Sequence, residues 1–199
     1  MHTIMKERKA MGRIPGYDEA KNIMCEYNKE PFHIRHSTIV SGVMRWFAKK
    51  YDAENEEYWA VVGLLHDIDF ELYPDEHCIK CEEIMRELEL DEGLIKAVVS
   101  HGYKVAQFET PPEKYMEKVL YAIDELTGLI GAAALMRPSK SVMDMECKSV
   151  MKKFRSPSFA VGVSREVIEK GANMMGITLE ELVEDTILAM RSLSDEMEI

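Results

Sequence analysis

Histidine and aspartate side chains fall inside the apolar helical faces of this chain, and that restricts how its helices can assemble. From Phe32 to Tyr51, residues Ile34, Ile39, Val40, Val43, Met44, Trp46 and Phe47 recur at helical spacing, and His36 shares a strip with Val40, Val43 and Phe47. The apolar run Ala60-Val61-Val62-Gly63-Leu64-Leu65 ends in His66-Asp67, Ala97-Val98-Val99 leads into His101, and Asp124 closes Val119-Leu120-Tyr121-Ala122-Ile123. Burying several imidazoles and carboxylates without partners is costly, so these groups must satisfy one another or share a cation. A His-Asp pair at a helix end is ordinary by itself; an ordered set on successive helices points to a common metal site.

The remaining pattern is helical as well. Helices are expected over about 17–29, 32–51, 54–66, 75–88, 91–101, 113–136, 145–154, 164–175 and 178–194, separated by Pro31, Pro74, the Pro111-Pro112 pair and Pro138. Ser164 and Thr178 read as N-caps, with Glu181 completing a capping box. No alternating strand pattern and no internal repeat occurs, so the expected class is all-α: a compact multi-helix bundle with additional C-terminal helices. Residues 1–16, charged and bearing Gly12, Pro15 and Gly16, read as a loose arm, and 17–199 as a single domain. A chain of 199 residues with 46% hydrophobic content suits one sizeable core better than two.

A formal net charge of −11 disfavours non-specific binding to nucleic acid or an anionic membrane. No apolar stretch approaches the roughly 20 residues of a membrane span, and the N-terminus lacks a signal-peptide core, so a soluble cytoplasmic protein is expected. Cys25, Cys78, Cys81 and Cys147 are too few for a disulfide framework, and Cys78-x-x-Cys81, with no second pair, reads as part of a helix interior. His2 and His33 read as bystanders, the latter an exposed neighbour of His36, while Glu71 and Asp75 read as solvated charges with a supporting role as the alternative.

The order His36, His66-Asp67, Asp124 resembles the HD superfamily of metal-dependent phosphohydrolases. Thr38-Ile39-Val40 after the first histidine, Leu64-Leu65-His66-Asp67-Ile68, and Tyr121-Ala122-Ile123-Asp124-Glu125-Leu126 carry the likeness over about residues 32–130. A subset of that superfamily adds two histidines before the last aspartate and holds a dinuclear centre; here His77 and His101 occupy that interval. The resemblance implies His36, His66 and Asp124 around one ion, His77 and His101 around another, and Asp67 bridging, with Asp67 and His101 as the catalytic pair. Asp69 departs from the pattern, since many relatives have glycine there. The stretch from Arg137-Pro138-Ser139-Lys140 to Ser164-Arg165-Glu166, within an extension over about 137–199, is similar to the tail of a small uncharacterised branch of predicted HD hydrolases.

That stretch is also locally basic: Arg137, Lys140, Lys148, Lys152, Lys153, Arg155 and Arg165 outnumber Asp144 and Glu146. Such a segment can reach the metal mouth and bind phosphate oxygens, or remain a solvated face or a subunit contact; Lys104, Lys148, Lys152 and Lys153 are the candidates for phosphate. The expected chemistry is hydrolysis of a small phosphorylated molecule such as a nucleotide by water activated on one or two divalent ions, with Mn, Fe, Co, Ni and Zn all suited to mixed nitrogen and oxygen ligation. The alternatives are a di-iron oxygenase of the inositol-oxygenase-like type and a non-catalytic nucleotide-binding module. A homodimer is the expected assembly.

Overall fold

The computed structural model describes residues 12–106 and 108–193. Their nine α-helices are α1 (Tyr17–Tyr27), α2 (Pro31–Tyr51), α3 (Glu56–Leu65), α4 (Ile79–Glu87), α5 (Glu92–Val99), α6 (Tyr115–Leu135), α7 (Cys147–Phe154), α8 (Arg165–Met175) and α9 (Leu179–Arg191). Among the described residues strand-like pairing is limited to two isolated bridges, Arg13 with Leu90 and Tyr103 with Phe108, so the class is all-α. No helix among them is long and apolar enough to cross a membrane.

The two longest helices, α2 and α6, form the spine. Their apolar strips, Val40, Val43 and Phe47 on one and Val119, Leu120, Ile123 and Leu126 on the other, are fully buried and meet in the core. Helix α3 is buried along nearly its whole length and lies against α2, and α8 covers α6. Glycine permits both close approaches. A Cβ on Gly63 would stand 2.7 Å from the Ser41 Cα, and one on Gly171 2.4 Å from the Ala122 Cβ.

Both caps expected from the sequence form: the Ser164 side chain accepts from the Val167 N–H, and Thr178 with Glu181 makes a reciprocal box. Two expectations need correction. Residues 12–16 are not loose, because the Arg13 N–H donates to the Glu89 carbonyl, the Asp91 N–H donates to that of Arg13, and Pro15 is buried; residues 1–11, His2 included, lie outside the described residues, as does Ser194. Helix α4 begins at Ile79 rather than Asp75, because a single 3-10 turn over Pro74–Glu76 is followed by His77 and Cys78 in non-helical backbone, Cys78 with φ 67°. His77 thus precedes the helix on a sharp turn.

Candidate metal centre

Helix α2 supplies His36, the turn after α3 supplies His66 and Asp67, the turn before α4 supplies His77, the 3-10 turn after α5 supplies His101, and mid-α6 supplies Asp124. The folded chain brings all six together, five of them lining one cavity and His66 fully buried. His36 Nε2 lies 3.0 Å from Asp124 Oδ1 and 3.6 Å from Asp67 Oδ2, while His66 Nε2 lies 3.2 Å from His36 Nε2, 3.3 Å from Asp67 Oδ2 and 3.4 Å from Asp124 Oδ1. On the other side, His77 Nε2 is 3.0 Å from His101 Nε2, and the two are 3.4 and 3.7 Å from Asp67 Oδ1. Asp67 therefore turns one oxygen to each histidine pair.

Three of the four rings are locked by their far nitrogens. His66 Nδ1 meets the Gly63 carbonyl at 2.8 Å, His101 Nδ1 meets that of Val98 at 2.6 Å, and His77 Nδ1 meets Asp69 Oδ1 at 2.8 Å. A ring that donates from Nδ1 to an acceptor presents its Nε2 lone pair to the cavity. Two such nitrogens facing one another at 3.0 Å need either a shared proton or a metal cation between them. Ligand atoms around a tetrahedral ion stand about 3.3–3.8 Å apart, given bond lengths of roughly 2.0–2.3 Å, and the donor separations of 3.0–3.7 Å in the two clusters are close to that spacing. One group able to hold an ion comprises His36, His66, Asp67 and Asp124, and a second comprises His77, Cys78 and His101.

The same field governs protons. Burial opposes charge on His66, but Asp67 and Asp124 outweigh it and push its pKa up to about 10. For His77 burial is again the opposing effect, overcome chiefly by the bond to Asp69, to about 9. Burial alone would raise Asp67 and Asp124, yet the neighbouring imidazoles, His66 foremost, hold both below the usual carboxylate range.

The surroundings explain the departure at position 69. Asp69 is fully buried and accepts from the Cys81 N–H at 2.9 Å as well as facing His77, so its carboxylate orients that imidazole. Glu71 is not merely solvated: it accepts from the Lys29 and Glu30 N–H groups at 2.9 and 3.0 Å and fastens the start of α2 to the His-Asp turn. Asn28 adds donor contacts to the Asp67 and Ile68 carbonyls. Asp75 is exposed.

The cavity, about 350 Å³, is walled by Phe32, Phe70, Val105 and Val167 beside the metal-site residues. His33 lines it and is half-buried, rather than exposed as its spacing suggested. Lys104, Lys148, Lys152 and Lys153 do not line it. Lys104 is exposed and paired with Glu109, Lys148 and Lys152 are exposed on α7, and Lys153 lies over the Phe159 ring. What the basic stretch does bring is Gly162 and Val163, and Arg165 holds that loop by donating to the carbonyls of Phe154, Phe159, Ala160 and Val163.

Two groups escaped sequence reasoning. Cys78 Sγ lies 3.8 Å from His101 Nε2, and its position beside His77 was the available signal. Glu125 lines the cavity next to Asp124 and accepts from the Ser164 N–H at 3.0 Å; burial, then Asp124, raises its carboxyl to about 7.

Searches among curated proteins and among solved structures returned no match. The family model of the HD domain matches residues 34–152, a span that contains all six converging side chains and more than half of the sequence. With this match and an all-α architecture, the chain belongs to the HD domain family, a class of metal-dependent hydrolases.

Proposed function

We propose that the protein hydrolyses a phosphate ester of a small organic molecule at a dinuclear metal centre, with His36, His66 and Asp124 holding one ion, His77 and His101 the other, and Asp67 shared. The observation that carries this reading is the split orientation of Asp67, one oxygen toward each histidine pair. Divalent ions bound there supply Lewis acidity toward a phosphoryl oxygen and an activated water.

The chain's own residues do the positioning. The carbonyls of Gly63 and Val98 and the carboxylate of Asp69 fix the imidazole faces, so the cavity needs little reorganisation when substrate arrives. Phe32, Phe70, Val105 and Val167 give the cavity apolar walls. A second cleft of about 320 Å³ shares Phe32, His36, Gly128, Gly162 and Val163 with the metal cavity and continues over Ile39, Leu135 and Val142, with Arg35 and Lys140 also lining it. It suits the organic half of the ester. Within the basic stretch, Lys140 is the cationic side chain that lines this cleft and replaces the α7 lysines as the candidate for a second anionic group.

The test is release of inorganic phosphate from a panel of nucleotides and other phosphate esters with manganese or cobalt, run beside oxygen uptake by the iron-loaded protein. Phosphate release that vanishes in Asp67→Ala is expected. Oxygen consumption without phosphate release would instead assign the centre to oxygenase chemistry.

A further inference from the structure

We infer that Cys78 is a thiolate ligand of the second metal position, so that the two ions sit in chemically unequal sites: one of nitrogen and oxygen donors, one with sulfur added. This rests on the dinuclear reading above and goes beyond it in assigning a ligand and a metal preference. Cys78, His77 and His101 each bring one ligand atom within 4.8 Å of the other two, with Cys78 Sγ 3.8 Å from His101 Nε2 and that nitrogen 3.0 Å from His77 Nε2. With zinc–sulfur and zinc–nitrogen bonds of about 2.3 and 2.0–2.1 Å, a tetrahedral ion separates its sulfur and nitrogen ligands by about 3.6 Å. Asp67 Oδ1, at 3.4 and 3.7 Å from the two imidazoles, is the neighbouring oxygen donor.

The local chain is shaped around the thiol. Cys78 is fully buried, and φ of 67° in a non-glycine residue directs the backbone so that adjacent residues 77 and 78 both face His101. Gly102 clears the space, since a Cβ there would lie 2.4 Å from Cys78 Sγ. Cys81 differs: its sulfur lies near the carbonyls of Leu65 and His66 at 3.9 Å, and it belongs to neither ligand group. The Cys-x-x-Cys pair therefore divides into one ligand and one core residue.

On binding, the Cys78 S–H bond breaks, its proton leaves to solvent, and the sulfur lone pair forms the bond to the metal. A thiolate selects zinc, iron or cobalt over magnesium or manganese, whereas the His36, His66, Asp124 site accepts a wider range.

The test is cobalt(II) titration of metal-free full-length protein, followed by visible and near-ultraviolet absorption. Two bound equivalents are expected, one of them bringing an intense sulfur-to-cobalt charge-transfer band. Cys78→Ser should lose that band and keep the weaker ligand-field bands of the other site, while Cys81→Ser should keep both. The wild-type spectrum is informative even if a variant fails to fold. Two cobalt equivalents with no thiolate band, or a band that survives Cys78→Ser, would overturn the assignment and leave the dinuclear reading standing. No cobalt binding at all would overturn both.

Discussion

At the scale of single residues the centre is organised by carboxylates that serve two partners each. Asp67→Ala is expected to lose both ions and His101→Ala about half of the bound metal, as measured by elemental analysis of purified protein. Asp69→Ala leaves every donor in place but removes the acceptor of His77 Nδ1, so affinity at the second position should fall roughly 10–100-fold in a competition titration. The convergence of these side chains was legible in the sequence, because His36, His66 and Asp124 each interrupt an apolar strip where a lone polar group is costly. Cys78 was not legible, because apolar spacing carries no sign of a left-handed turn and a helical reading of the pair treats both sulfurs alike. Which lysines line a cleft was equally beyond reach, since a count of charge along the chain does not tell which side chains face a cavity. Away from the metal, burial raises the Tyr58 hydroxyl from its ordinary 10 to about 12. The folded state thus keeps a proton that the unfolded state loses, so stability from this group is intact below pH 10 and is lost between about 10 and 12. Tyr58→Phe should flatten that part of the alkaline decline in a thermal melt series.

Between elements, the site depends on how closely α2 and α3 approach, since His36 rides on one and His66 follows the other. Gly63→Ala would place a methyl group against the Ser41 backbone, which has no rotamer to move away, and should cost about 1–3 kcal/mol in urea denaturation while weakening metal binding. Thr178→Ala removes a cap remote from the cavity and should cost about 1 kcal/mol with metal content unchanged. Helix identity was readable throughout from periodicity and proline punctuation. The misplaced boundary is the start of α4, where Asp75-Glu76-His77 looks like an acidic first turn but forms the ligand-bearing turn instead. A helix continuing through His77 would commit its backbone to the helical repeat, and the imidazole reaches Asp67 from the turn that replaces it.

For the molecule as a whole, two helices and three turns bring their side chains to one cluster that a cation would tie together, so metal and stability should be linked. At free metal a hundredfold above the dissociation constant, each ion adds about 2.7 kcal/mol. For a chain of this length that is a rise in Tm of roughly 5–10 °C per ion, absent in Asp67→Ala. The cavity is completed by Gly162, Val163 and Val167, which lie beyond residues 34–152 where the family pattern is found. One guanidinium, that of Arg165, gathers four carbonyls of residues 154–163 and so sets the shape of that wall. The six converging side chains and this wall thus lie in different stretches of the chain: altering Arg165 or the loop it braces should reshape the cavity while the candidate ligands stay as they are.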